Sequence, residues 1–423
     1  MNTFLQLVVV LTCSFLISAP FLVQRINETT GISPQDELSY VDTLFRIRAG
    51  QWMLHQGDTL APDTLRELGC RGVSQSALQP TRAVCNGGPS NVVFYNTADI
   101  DPPLYHWTVS ILSRIPPHLG LTHNIVTAAR MLGVLWCSLT MTAIFFLTRR
   151  LGGKVLPAAA AALTVLWLSV TNIQFQYVTP HSTGALIGAL VALVVVARLS
   201  DRAAWWLVTL AGLLASTVKL TNLVVVMAAA AAFLAAYAWP TADGGPRPRR
   251  RLWDVLNISA TSLLATLAWV VIRGMQRSST VEPYQWAVVD HLTPAQILTN
   301  VAVFVTPWGY GFARGFAVLL SVAVFGVATW LLFRRESAPA QRCLAAGLLA
   351  AGLFAPVALV LMNFVVTSYY VQTQGRYGLS LLPLGVALAA SQVRHRAVQV
   401  TLVVVTLVCV TLAWYQPPIL TGS

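Results

Sequence analysis

The chain has 423 residues, of which 56% are hydrophobic and only 10% are charged, and its mean hydropathy is +0.66. A soluble globular domain has roughly a quarter of its residues charged, so this composition excludes that class. The formal net charge is +12, but the basic residues are scattered between apolar runs and form no stripe with interleaved aromatics, which argues against nucleic-acid binding.

Continuous apolar runs of about 20 residues predict membrane-spanning helices and not the alternating strands of a barrel. The first run, 4–23, follows no Lys or Arg and has no convincing small-residue cleavage site, so we predict a retained helix and not a signal peptide. Ten further spans are predicted at 124–148, 155–173, 182–198, 204–218, 221–239, 255–272, 315–333, 343–366, 378–392 and 399–415. The fold class is therefore an all-α polytopic membrane protein with about 11 transmembrane helices.

The distribution of Lys and Arg predicts the orientation of these spans. With the N-terminus inside, every inside loop is basic, and together these loops hold 14 basic residues against four acidic ones. The polar stretch 24–117 then lies outside the cytoplasm. We expect one transmembrane domain over 1–423, in the plasma (inner) membrane, with no C-terminal soluble domain.

The external loop carries two kinds of structural signal. Cys70 and Cys85 share the loop without a metal-type partner, which predicts a disulfide; two free thiols are the alternative. Apolar residues recur at helical spacing in 38–47 and 104–112, in runs too short to span, so we predict two amphipathic helices at the membrane surface.

Several ionisable residues fall at the outer ends of spans, where a charge is costly and points to function. Asp36 and Glu37 open the first surface helix. They are candidates for a general base or a divalent-cation ligand; the alternatives are that they complement the helix N-terminus or are simply solvated. Lys219, one of only two lysines, lies between two spans, and Arg130 lies near the start of another. Both are candidate phosphate ligands, and snorkelling to the interface is the alternative for each.

Six short motifs follow one another on this outer side. They are Asp36-Glu37-Leu38-Ser39-Tyr40-Val41-Asp42, Asp101-Pro102-Pro103-Leu104-Tyr105, Ala129-Arg130-Met131-Leu132-Gly133, Tyr177-Val178-Thr179-Pro180-His181, Lys219-Leu220-Thr221 and Gln374-Gly375-Arg376-Tyr377. In this order they resemble the GT-C glycosyltransferases, especially the branch of protein O-mannosyltransferases and bacterial transferases that use polyprenyl-phosphate sugars. The chain departs from that pattern at Asp101, where His is common, and at His181, where Asp is frequent.

The resemblance implies a membrane glycosyltransferase that moves a sugar from a polyprenyl-phosphate donor to a cell-envelope glycan, lipid or protein on the extracytoplasmic face. It implies an inverting displacement with a carboxylate base. The residues that it assigns are Asp36 and Glu37 to catalysis, Arg130, Lys219 and Arg376 to the donor phosphate, and Asp101, His106, His181 and Tyr377 to an acceptor or substrate groove.

No ligand spacing requires a metal, so metal-independent transfer is favoured, with a divalent cation at Asp36, Glu37 or Asp101 as the alternative. A multi-span transporter or flippase of lipid-linked sugars is the rival function, and a non-catalytic scaffold is a third. Transporters often show internal repeats, and no clear repeat is visible here. The long external loop with surface helices also favours the enzyme.

Overall fold

The structure is a computed structural model, and it describes residues 3–415 apart from 34–35, 56, 74–81, 88–94, 240–247, 277–290, 306–312, 335, 368–369 and 371. The regular elements of the described chain are helices. Two isolated β-bridges also occur there, and they pair Ile32 with Val73 and Thr59 with Tyr95. The helices are α1 Thr3–Glu28, α2 Glu37–Arg48, α3 Pro62–Arg71, α4 Arg82–Cys85, α5 Leu104–Leu112, α6 Ile115–His118, α7 Ile125–Arg150, α8 Val155–Trp167, α9 Ser169–Gln176, α10 Gly184–Leu199, α11 Trp205–Val218, α12 Leu223–Ala238, α13 Pro248–Met275, α14 Pro294–Val305, α15 Ala313–Phe333, α16 Pro339–Thr367, α17 Leu382–Ser391 and α18 Arg396–Tyr415.

Eight helices of the described chain are long and apolar enough to cross a membrane, and the bent pair α8–α9 brings the number to nine. The shorter apolar helices α11 and α17 occupy the predicted fifth and tenth spans. Every predicted span thus coincides with apolar helix, but the count of 11 stays a prediction, because a helix of 10 residues rises only about 15 Å. The chain is a multi-pass membrane protein.

The predicted span 155–173 is not one straight helix: it bends by 64° at Leu168. The Thr171 hydroxyl donates to the carbonyl of Val165 at 2.7 Å, and the Asn172 amide donates to that of Leu166 at 2.9 Å. A break in a membrane helix releases backbone carbonyls that lipid cannot satisfy. These two side chains supply the missing donors and so make the bend tolerable.

Helix α7 lies at the centre of the bundle and packs against α1, α8 and α10. Its contact with α9 is backbone to backbone, because a Cβ on Gly133 would lie 1.8 Å from the carbonyl oxygen of Phe175. A similar close approach joins α10 to the segment before α17, where a Cβ on Gly188 would lie 1.9 Å from the carbonyl oxygen of Ser380. Glycine at both positions lets the site-bearing segments come together.

The loop 24–117 folds against one end of the bundle, where α5 packs on α7 and α11. Helices α2 and α5 form at the two predicted surface positions, and the Cys70–Cys85 disulfide is confirmed. Directly after Cys70, the Arg71 guanidinium donates to the carbonyl of Thr30 at 3.1 Å, and Gly72 accepts from the Ile32 amide at 3.0 Å. The disulfide-bonded helix α3 therefore holds the strand-like segment that leads into α2.

Candidate active site

Asp36 stands at the N-terminus of α2 and faces Arg376. Its Oδ2 lies 2.6 Å from Nη2 of Arg376, which belongs to a short 3-10 helix, Gly375–Gly378. The backbone of Asp36 is left-handed, with φ 65°, a conformation uncommon for a residue other than glycine and enriched at functional sites. Its side chain is 46% exposed, whereas that of Arg376 is buried. The pair thus presents an accessible carboxylate beside a buried guanidinium.

Glu37 is fully buried and its carboxylate is saturated by protein donors. Nε and Nη2 of Arg130 each donate to it at 2.8 Å, and the backbone amides of Ser33 and Val178 donate at 2.8 and 2.9 Å. Arg130 is equally enclosed, since its remaining donors reach the carbonyls of Thr29 and Gly31 at 2.6 and 2.7 Å. This bidentate pair fixes the start of α2 to α7 and to the Tyr177–Val178 connection.

Lys219 forms a second buried ion pair with Asp101. Its Nζ lies 2.6 Å from Oδ2 of Asp101 and 3.4 Å from the hydroxyl of Tyr40, and that hydroxyl donates to the same Oδ2 at 3.2 Å. Burial raises the pKa of Tyr40 well above its usual value, so the phenol keeps its proton and remains a donor. The three groups form a closed network between α2, the turn before α5 and the turn after α11.

Two imidazoles stack on tyrosines of the same centre. The rings of His106 and Tyr40 lie 5.6 Å apart at 30°, and those of His181 and Tyr377 lie 5.6 Å apart at 15°. Both histidines are buried. Burial lowers the pKa of His106 to about 4, so its ring is neutral at pH 7.

The turn that carries Asp101 is fastened to α13. The Asp99 carboxylate accepts from Nε of Arg273 at 2.7 Å, and the indole of Trp269 donates to the carbonyl of Ile100 at 3.0 Å. Burial raises the pKa of Asp99, and the guanidinium of Arg273 opposes that rise. These contacts orient Asp101 towards Lys219.

Asp42, the last residue of the first motif, lies outside this centre and organises the loop. Its buried carboxylate accepts from Nε of Arg46 at 2.6 Å, from the Thr64 hydroxyl at 2.8 Å and from the Asn96 amide at 2.7 Å. These bonds link α2 to α3 and to the chain before Asp99. Asp42 therefore supports the site without facing it.

The structure gathers the predicted residues at one end of the bundle, in three ion pairs and two ring stacks. They are Asp36, Glu37, Asp101, His106, Arg130, His181, Lys219, Arg376 and Tyr377. Sequence reasoning missed Tyr40 and Arg273. Tyr40 had a signal, because it stands four residues after Asp36 on the same helix face; Arg273 is a cation at the outer end of a predicted span.

Within the part of the chain that the structure describes, no group of three or more His, Cys, Asp or Glu side chains is arranged to hold a metal ion. Each carboxylate of the centre is instead bound by a cationic side chain: Asp36 by Arg376, Glu37 by Arg130 and Asp101 by Lys219. A divalent cation at these residues stays a hypothesis.

No family model and no curated protein matches the chain. Solved structures do match. One is ArnT from Cupriavidus metallidurans bound to undecaprenyl phosphate, with a TM-score of 0.50 and 14% sequence identity. The match covers 97% of this chain and 63% of ArnT. The apo state of the same ArnT has a TM-score of 0.52, with 95% of this chain and 62% of ArnT covered at 14% identity. The chain has the GT-C fold of ArnT. It spans about three fifths of the length of ArnT, and the likeness establishes the fold alone.

Proposed function

We propose that the chain is a membrane glycosyltransferase that moves a sugar from a polyprenyl-phosphate donor to a hydroxyl of a cell-envelope glycan, lipid or protein. The observation that carries the proposal is the Asp36–Arg376 pair, an accessible carboxylate held 2.6 Å from a buried guanidinium at one end of a GT-C-type bundle. In such a pair the carboxylate can take the proton of an acceptor hydroxyl, and the guanidinium can bind the phosphate that leaves. ArnT, which shares the fold, has been crystallised with undecaprenyl phosphate.

Asp36 is the proposed general base. Asp36 is exposed, whereas Glu37 and Asp101, the other two carboxylates of the centre, and the neighbouring Asp99 are buried. Asp36 removes the proton of the acceptor hydroxyl while the hydroxyl oxygen attacks the anomeric carbon. The bond from that carbon to the phosphate oxygen breaks, its electron pair leaves with the polyprenyl phosphate, and the configuration inverts. Proton transfer of this kind contributes typically 10²–10⁴-fold to the rate.

Arg376 and Lys219 are the proposed phosphate ligands. Arg376 has a planar fork that grips two phosphate oxygens, and Lys219 supplies a point charge. Both cations are already bound by carboxylates, so an entering phosphate competes with Asp36 for Arg376 and with Asp101 for Lys219. Donor binding would thereby loosen Asp36 from its partner and leave it ready to accept a proton.

For Glu37 and Arg130 we propose a positioning role in place of the predicted contacts with substrate. Both are fully buried, and the donors of Arg130 reach Glu37 and backbone carbonyls at 2.6–2.8 Å. A phosphate contact would require breaking this bidentate pair, which is costly for buried charges. The pair instead holds Asp36, the neighbour of Glu37, in its left-handed conformation.

An apolar crevice beside Arg376 supports a lipid-linked donor. It is bounded by Gly375 and Gly378 of the 3-10 helix, by Phe304 of α14 and by Leu320 and Val324 of α15. A polyprenyl chain is a hydrocarbon that suits such apolar walls, and because Gly375 is the neighbour of Arg376, the phosphate of a lipid bound there would come close to that guanidinium.

Asp101, His106, His181 and Tyr377 remain the proposed substrate groove. They lie around Lys219 and Arg376 without supplying further cations. The basic residues of the predicted inside loops support an active site on the extracytoplasmic face, towards the periplasm or the extracellular side.

The test is sugar transfer from a panel of polyprenyl-phosphate sugars, with an extracted cell-envelope fraction as acceptor. We expect purified wild type to transfer at least one sugar, and Asp36→Asn to lose about a hundredfold or more while melting at the same temperature. Asp63→Asn, an exposed acid on α3 paired with Arg66, is the matched control and should keep full activity. Full activity of Asp36→Asn would remove Asp36 as the base, and a wild type that consumes no donor would contradict the function.

A further inference from the structure

His106 lies inside the centre and touches its polar network through Tyr40. The side chain is the third of α5 and is buried. Its ring stacks on Tyr40, and it meets the ring of Tyr105 edge-on at 5.4 Å. Because the Tyr40 hydroxyl bonds to Asp101 and lies beside Lys219, the imidazole stands next to that ion pair without being part of it.

The Nε2 atom of His106 is buried and has no hydrogen-bond partner among the residues that the structure describes. Buried polar atoms are nearly always hydrogen-bonded, so such an atom calls for an explanation. Its polar neighbours Asp101, Lys219 and Tyr40 bind one another. Nε2 therefore has capacity for one further hydrogen bond, at the place where the proposed function puts substrate.

The chemistry of the ring restricts what fills that capacity. The pKa of His106 is lowered to about 4 by burial, so at neutral pH the ring carries no charge, with one nitrogen that donates and one that accepts. A neutral imidazole is a poor ligand for phosphate compared with Arg376 or Lys219. A hydroxyl group both donates and accepts, so it suits Nε2 in either tautomer.

We infer that His106 is a specificity-determining residue that hydrogen-bonds one hydroxyl group of a sugar ring in the active site. The inference rests on the proposed glycosyl transfer and names a contact within it. A site built to bond a hydroxyl discriminates strongly against an analogue that lacks it, because the protein atom is then left unpaired. The hydroxyl belongs either to the transferred sugar or to the acceptor, and the chemistry is the same for both.

The experiment compares the sugar that wild type transfers with each of its monodeoxy analogues, first in the donor and then in a sugar acceptor. We expect one deoxy position, in one of the two arms, to lower kcat/KM at least about tenfold in wild type. His106→Phe retains a ring to stack on Tyr40 but has no Nε2. In His106→Phe, kcat/KM for the parent substrate should fall to the value that wild type shows with that deoxy analogue. The kcat/KM for the analogue should be the same in His106→Phe as in wild type. His106→Gln, which again offers a polar side chain, should restore part of the preference for the parent substrate over the deoxy analogue.

His123→Phe, at an exposed histidine before α7, is the matched control and should keep the wild-type preference. A His106→Phe variant that loses activity equally on the parent and on every analogue would overturn the inference and leave His106 a packing residue. Retained discrimination in His106→Phe would overturn it as well. In both cases the proposed function stands, because wild type still transfers sugar; a wild type that transfers nothing overturns both.

Discussion

Glu37 and Arg130 are joined by two parallel hydrogen bonds of 2.8 Å across 93 residues of sequence, and both side chains are fully buried. Their partner atoms include the amides of Ser33 and Val178 and the carbonyls of Thr29 and Gly31. Three separate stretches of chain, 29–37, α7 and the Tyr177–Val178 connection, therefore meet at one carboxylate and one guanidinium. The geometry of Asp36 depends on this junction.

Replacing Glu37 by Gln should destabilise the protein by about 3–5 kcal/mol, because it leaves the charge of Arg130 buried without its counter-ion. The free energy of unfolding, measured by denaturation in detergent micelles, would show the loss. Glu336→Gln, at an exposed carboxylate between α15 and α16, should change it by less than about 0.5 kcal/mol. Wild-type stability in Glu37→Gln would contradict a structural role for the pair.

Replacing Arg376 by Lys keeps the charge and removes the fork that can hold Asp36 and a phosphate together. We expect kcat/KM for the lipid-linked donor to fall by about tenfold to a hundredfold, with a raised KM for the donor. Arg66→Lys, in an exposed ion pair on α3, serves as the control and should leave both constants unchanged. If Arg376→Lys transfers sugar with the wild-type KM, the donor phosphate binds elsewhere.

Gly188→Ala should destabilise the protein and displace the segment that carries Arg376. The added Cβ would lie 1.9 Å from the carbonyl oxygen of Ser380, and backbone cannot move aside as a flexible side chain does. Overpacking of this kind costs about 1–3 kcal/mol, seen as a lower melting temperature. Gly326→Ala in α15 meets nothing within 4 Å and should be neutral or slightly stabilising. Equal melting temperatures for the two variants would contradict the close approach of α10 to Ser380.

The stability of the protein should fall as the medium is acidified below neutral pH, in part through His106. Its folded pKa of about 4 lies below the unfolded value of 6.5, so the unfolded chain takes up a proton first as the pH falls. The contribution of His106 to the free energy of unfolding is constant above about pH 7. It declines between pH 6.5 and 4, by up to about 3 kcal/mol.

In His106→Gln this component of the pH profile should disappear. His55→Gln, at an exposed histidine of the loop after α2, should leave the profile as in wild type. The measurement is the free energy of unfolding at a series of pH values. A His106→Gln profile that overlays the wild-type curve would show that His106 is not held neutral.

The elements that are specified by local pattern could be predicted from the sequence. Apolar length predicts the spans, helical spacing predicts α2 and α5, and two cysteines in one external loop predict the Cys70–Cys85 bond. The partners of the charges could not be predicted in this way. A buried Arg130 must have a counter-ion, but whether Asp36, Glu37 or a phosphate supplies it depends on how α2 meets α7 in three dimensions.

The bend at Leu168 was missed for a related reason. Hydropathy averaged over 155–173 is high enough for a straight span, and the average hides Thr171 and Asn172, whose side chains bond to Val165 and Leu166. A polar pair within an apolar run was the available signal.

Arg25 in α1 donates to the carbonyl of Ala413 and, at 3.0 Å, to that of Trp414 at the end of α18. The two helices are therefore joined although 388 residues separate Arg25 from Ala413. Because α18 is synthesised after α1, these hydrogen bonds of a largely buried arginine cannot form until α18 is made, and α1 can close against α18 only at that stage. If the ribosome stalled before α18, the intermediate would lack the contact between α1 and α18 and would expose Arg25 without these partners, and membrane proteases could recognise it.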